Sequence, residues 1–238
     1  KGEVVQIAQD GVYVSLGVLS APLPVLWIAG LTNAINFIDG LDGLAVGVSG
    51  ISTATMLVIA LLLGEENVAV VLAALLGACL GFIPYNFNPA QIFMGDTGST
   101  FLGFVLASIS VQGLFKMYAV ISFMVPFLIL GVPFFDITFA VIRRLAKHQN
   151  PMTADRGHIH HRLIDMGLSQ KQSVAIVYML TGVLGLAAVL LANNTGTKAF
   201  ILFAAVFVVA VLGFAVIFGP HHRPPQKEEK HDEEQKNG

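Results

Sequence analysis

Residues 44–85 read LAVGVSGISTATMLVIALLLGEENVAVVLAALLGACLGFIPY. Two apolar runs, about 44–63 and 67–85, are parted by the turn Gly64-Glu65-Glu66-Asn67. Each is close to the roughly 20 residues that a helix needs to cross about 30 Å of hydrocarbon. Neither alternates as a barrel strand does. Only helices and closed barrels satisfy their backbone groups in lipid, so the pair reads as a helical hairpin through a membrane. Five further runs lie outward from it, at about 22–38, 99–115, 118–142, 174–192 and 198–218. The expected fold is therefore all-α and polytopic, with about seven transmembrane spans.

Composition agrees. The 238 residues are 55% hydrophobic and 12% charged, with mean hydropathy +0.76. Soluble domains carry about 25% charged residues, and half that load cannot cover a water-facing surface. An ordinary soluble enzyme, a disordered chain and a disulfide-stapled secreted domain are excluded. A net charge of −2 also leaves no basic face for nucleic acid. The single Cys79, inside an apolar run, has no intrachain partner.

The ends differ from the middle. Asp10-Gly11 lies between two β-prone stretches, so residues 1–21 read as an extracytoplasmic hairpin or loop ahead of a membrane domain over 22–218. Residues 219–238, Pro-rich and then charged in both signs, read as a disordered cytoplasmic tail. The chain opens at Lys1 without a signal-peptide pattern and is expected to be the C-terminal part of a longer protein.

Orientation follows from Lys and Arg. Six of the 13 basic residues fall in 143–173, and four more in the tail. Both segments should be cytoplasmic. Counting back over seven spans puts the loops 39–43 and 86–98 on that same side. One parity thus gathers every unusual polar segment at one face.

Three segments carry chemistry. In Asn33-Ala34-Ile35-Asn36-Phe37-Ile38-Asp39-Gly40-Leu41-Asp42-Gly43, two carboxylates sit three apart at a membrane boundary. On a helix, Asn36, Asp39 and Asp42 would line one stripe, with glycines leaving the backbone bare for a ligand. Helix capping explains one Asp but not the set. Residues 85–100, YNFNPAQIFMGDTGST, set Asp96 between glycines. Such an oxygen-rich cluster suits a hard cation like Mg2+, and Phe93 can stack on a base. Asp155-Arg156-Gly157-His158-Ile159-His160-His161-Arg162 is metal-capable, yet it has no nearby Cys and no H-E-x-x-H. Its arginines favour an anion such as phosphate. Positive-inside topology accounts for the basic residues but not for the histidines. Arg143 and Arg144 point to the same compartment. Asp136, in an apolar run seven residues before Arg143, reads as half of a structural ion pair. Carboxylates beside a His/Arg patch make an apparatus for phosphoryl transfer, and the membrane setting makes one substrate a lipid.

The motifs NAINFIDGLDGLA, FNPAQIFMGDTGS and HIHHRL resemble those of the polyprenyl-phosphate N-acetylhexosamine-1-phosphate transferases, over residues 22–175. The HxHH form is similar to the branch acting on undecaprenyl phosphate with UDP-GlcNAc in surface glycopolymer synthesis. The resemblance implies a cell-membrane enzyme with its active site on the cytoplasmic face. In the implied reaction a polyprenyl-phosphate oxygen attacks the β-phosphorus of UDP-N-acetylhexosamine and UMP leaves. It implies catalytic roles for Asp39, Asp42 and Asp96. It makes Asp96 and Asn36 ligands of Mg2+, with Mn2+ as an alternative. It gives uridine contacts to Asn86 and Phe93, and diphosphate or sugar contacts to Arg144, Arg156, His158, His160 and His161. The partners implied are UDP-N-acetylhexosamine, the polyprenyl phosphate and the membrane, with no nucleic acid; a homodimer is compatible. The family's upstream Asp-Asp pair is missing from these 238 residues, so the fragment alone is expected to be inactive. The rival readings are a transporter, whose polar groups would sit near the bilayer midplane, and a zinc membrane hydrolase using His158, His160 and His161.

Overall fold

Pro22 takes the first helical position, where its missing N–H costs nothing, and the described chain becomes helical there. The computed structural model describes residues 21–113, 119–146, 158–193 and 204. The helices are α1 (Pro22–Ile38), α2 (Leu44–Leu62), α3 (Glu66–Asn86), α4 (Gly95–Gly113), α5 (Ala119–Ile129), α6 (Gly131–Ala146), α7 (Ile159–Asp165) and α8 (Gln170–Ala192). Among the described residues there is no strand. By length and composition α2, α3 and α8 can cross a membrane, and α1 is a shorter apolar helix. The hairpin or loop expected at 1–21 lies outside the described residues but for Ala21. So do the run at 198–218, but for Ala204, and the tail at 219–238.

α2 is the hub, packed by α3, α4 and α8, while α1 lies along α4 and meets α6. Its first two turns, Leu44–Gly50, are wholly buried. In lipid, helices gain little by hiding apolar surface from one another, so small residues that let backbones approach carry the association. At Gly47 any side chain would collide with the Tyr178 ring of α8. A Cβ on Gly103 of α4 would come within 2.8 Å of the Thr32 backbone in α1. Trp27 fills the space between α1 and the other helices. Its ring meets Phe127 at 4.8 Å, and its Nε1 donates to Ser110 Oγ at 2.9 Å.

Two features depart from the spans read off the sequence. The run 118–142 is two helices, broken at Leu130. Pro133 has no N–H to give to the carbonyl four residues back, which is that of Ile129. Ser52 of α2 takes over, donating its Oγ to Ile129 O at 3.0 Å. Helices α4 and α8 also start earlier than their apolar runs. α4 begins at Gly95 and so carries Asp96 in its first turn, where the helix dipole favours a carboxylate. α8 begins at Gln170 behind a capping box: Ser169 Oγ accepts from Gln172 N, and Gln172 Oε1 accepts from Ser169 N.

Candidate active site

α1 ends at Ile38, and the backbone turns over Asp39–Gly43 into α2. Gly43 closes the turn at φ +80°, a left-handed conformation that side chains rarely adopt. The stripe expected of Asn36, Asp39 and Asp42 is therefore interrupted, since the helix stops before Asp42. Asn36 reaches α4, its Nδ2 donating to Asp96 Oδ1 at 3.1 Å and to Ser99 Oγ at 2.9 Å. Asp42 reaches the segment after α3. Its Oδ2 accepts from Asn88 Nδ2 at 3.0 Å and from Ala90 N at 3.1 Å. Asn88 also donates to Gln170 Oε1 at 2.8 Å, so α8 joins the same network. Asp39 lies between these contacts. Burial first, and then the carboxylates of Asp96 and Asp42, push its pKa up to about 6. Two carboxylates are thus close enough to Asp39 to disfavour its charge, an arrangement that a cation relieves.

Asn86, 2% exposed at the end of α3, ties two elements together. Its Oδ1 accepts from Gly43 N at 3.1 Å and its Nδ2 donates to Ile92 O at 2.9 Å. Both ends of the amide serve the backbone. Phe93, next along, is 77% exposed.

The histidines come in on α7. Asp136 of α6 is buried and pairs with His158. Its Oδ2 lies 2.9 Å from His158 Nδ1, and its Oδ1 accepts from Ile159 N at 2.8 Å. Phe37 of α1 stacks on His158 at 5.6 Å, His160 lies parallel to His158 at 6.0 Å, and His161 follows at 4.2 Å. The His160 ring occupies the face that Gly40 leaves bare, so that any Cβ there would strike Nε2. Burial first, and then His161, hold the His160 pKa down at about 4, with Asp136 pulling the other way. Its Nδ1 is buried without a hydrogen-bond partner. Arg144 is buried in α6. Arg156 lies outside the described residues.

One end of the helical assembly thus holds Asn36, Asp39, Asp42, Asn86, Asp96, His158 and His160 in linked contacts. Sequence reading missed Asp136 as a partner of the histidines, because nothing in a separation of 22 residues signals that meeting. It also missed Ser99 and Asn88, both inside the quoted motif, as the residues that receive Asn36 and hold Asp42.

For a metal, the donor chemistry fits Mg2+. The Asn36 amide nitrogen is engaged on Asp96 and Ser99, so the hard donors its side chain and Asp96 can offer are oxygens. No group of three or more His, Cys, Asp or Glu suited to hold a metal occurs among the described residues. Mg2+ needs no such cage, since it binds through one or two carboxylates plus waters and substrate phosphates. Zinc fits poorly. His158 and His160 are stacked with His161 tilted against His160, and no metal-holding group of His, Cys, Asp or Glu forms there among the described residues.

Comparison with known proteins places these contacts in context. Residues 2–114 match the family described as glycosyl transferase family 4. A Bacillus subtilis (strain 168) protein named "Probable undecaprenyl-phosphate N-acetylglucosaminyl 1-phosphate transferase" is 44% identical over 198 residues, 83% of this chain and 55% of the relative. A decaprenyl-phosphate N-acetylglucosaminephosphotransferase of Mycobacterium leprae (strain TN) is 34% identical over 89% of this chain and 60% of its own length. A phospho-N-acetylmuramoyl-pentapeptide-transferase of Staphylococcus aureus (strain JH9) is 34% identical over 68% of this chain and 50% of its own length. The chain spans about half the length of the curated relatives it matches.

Proposed function

The chain belongs to glycosyl transferase family 4, and from that premise we propose that the whole protein transfers N-acetylglucosamine 1-phosphate from UDP-GlcNAc to a polyprenyl phosphate. An oxygen of the lipid phosphate attacks the β-phosphorus of the donor. The bond from that phosphorus to the bridging oxygen breaks, and UMP leaves with the bridging oxygen. The product is a polyprenyl diphospho-sugar. We place the site at the cytoplasmic face of a bundle of about seven spans, where a nucleotide sugar and a lipid headgroup can meet.

The observation that carries the reading is the linkage of three separate motif segments at one end of the helices. Asn36 bonds to Asp96, Asp42 bonds to Asn88, and His160 lies on Gly40. In phosphoryl transfer the protein has little covalent work to do, and positioning plus charge neutralisation supplies the catalysis. Bound at Asp96 and the Asn36 oxygen, Mg2+ would screen the charge of the diphosphate. Asp39 and Asp42 shape the pocket around that charge. Phe93 offers a solvent-facing ring for the uracil. Asn86 acts one step back, holding the Gly43 turn and the Ile92 carbonyl beside Phe93. His158, His161, Arg144 and Arg156 supply donors for the diphosphate and the sugar.

The test is Asp96→Asn in the full-length protein, assayed in membranes with UDP-GlcNAc and undecaprenyl phosphate. Turnover is expected to fall by about 1,000-fold or more while the protein is recovered folded, as when a central electrostatic contact is removed. Unchanged turnover would overturn the assignment.

A further inference from the structure

We propose that Asp136 is a positioning residue that sets His158 for the transfer. The inference rests on the transferase reading and deepens it. Its two carboxylate oxygens hold the first two residues of the histidine segment. Oδ1 accepts the Ile159 backbone N–H at 2.8 Å, and Oδ2 takes His158 Nδ1 at 2.9 Å.

The first of these contacts is ordinary helix capping. The second is not needed to cap a helix. An ionised carboxylate can only accept, so the imidazole proton on that side sits on Nδ1 and the tautomer is fixed. Nε2 is then the nitrogen left for a substrate oxygen. The ring is further held by stacking on Phe37 and on His160. At 7% exposure, His158 has little room to turn. Asp136 is itself 1% exposed, and a carboxylate so buried is costly unless donors meet it. The Ile159 N–H and the His158 ring are donors that meet it. Carboxylate, imidazole and substrate would then stand in line, as in other sites where an acidic residue orients a histidine without touching the reacting atoms.

His160 does a different task in the same motif. It is wedged on Gly40 with its charge suppressed, so the residue aligned for chemistry is His158.

The experiment is a double-mutant cycle in the full-length protein, reading kcat and KM for UDP-GlcNAc. Asp136→Asn keeps the shape but supplies only one acceptor oxygen. It is expected to lower kcat by about 100-fold, with KM changed less than about threefold. In a His158→Gln background, the same change should cost less than about threefold, because the group it acts through has gone. Equal losses in both backgrounds, or full activity of Asp136→Asn, would overturn the proposal. If Asp136→Asn is not recovered folded, Asp136→Glu carries the same test. Moving the carboxylate by one methylene should cost about tenfold with His158 present and little without it. Equal losses again overturn the proposal. Absence of transfer by the wild-type protein would instead strike the transferase reading, before either variant is made.

Discussion

Gly40 lies between the two carboxylates of its turn, and the His160 ring packs against it. A methyl group there would meet Nε2, so either the turn or α7 must shift. Gly40→Ala is therefore expected to destabilise the protein by about 1–3 kcal/mol, the usual cost of overpacking. It should also lower transfer by at least about tenfold, because the carboxylates and histidines lose register. Unfolding midpoint and kcat, measured together, check this; unchanged values would mean that the two segments are independent. His160 adds a pH dependence. Its folded-state pKa, about 4, lies below the ordinary 6.5, so between these values the unfolded chain binds more protons. The stability contribution is complete above about pH 6.5 and is lost as pH falls toward 4, by up to about 3 kcal/mol. Unfolding midpoints at pH 7.5 and 5 should differ, and His160→Asn should flatten that slope. The carboxylates of this site were legible in the sequence, because charged residues are conspicuous at the edges of apolar runs. The purpose of the glycines was not. Gly40 and Gly43 read as room for a ligand, yet His160 fills one space while Phe87 and Tyr178 fill the other. A side chain distant in sequence and a bound molecule leave the same local signal.

At the scale of helices, the break between α5 and α6 shows what a partner element can do. Pro126 and Pro133 stand in that run as places where a helix bends. That Ser52, some 80 residues away, would receive the released Ile129 carbonyl was not visible, since it depends on which helix packs there. The bond makes a specific prediction. Ser52→Ala should cost about 1 kcal/mol while Pro133 is present, by leaving that carbonyl unmet. In a Pro133→Ala background the residue 133 N–H can take it, and the cost of Ser52→Ala should fall below about 0.5 kcal/mol. Denaturant unfolding of the four proteins in detergent reads the difference. Equal costs in both backgrounds would contradict the account. The starts of α4 and α8 were not marked by the apolar runs. The sequence Ser169-Gln170-Lys171-Gln172 holds the capping box that opens α8 ahead of its apolar run. The early start of α4 matters more, because it moves Asp96 from a loop into a first helical turn beside Asn36.

Across the whole molecule, the succession of apolar runs raised the expectation that the polar segments between them would share one end. Apolar runs fix where the chain crosses, and crossings fix which connections share an end. The hydrogen bonds of Asn36, Asp42 and Asn86 realise that meeting. Which helix would be central was less legible, since α2 and α3 are similarly apolar. Yet 13 of the 19 residues of α2 are buried, against 5 of the 21 of α3. The small residues of α2, such as Gly47 and Ser49, were the available signal, because in lipid close approach decides packing.

The central claim is that this shared end performs one phosphoryl transfer. The most direct measurement supplies the full-length protein, in membranes, with undecaprenyl phosphate, Mg2+ and UDP-GlcNAc labelled in the sugar. UMP and a lipid-soluble labelled product are then followed together. The account predicts that the two appear in equal amounts and that both need the lipid acceptor. UMP without the lipid product, or neither from folded protein, would contradict it.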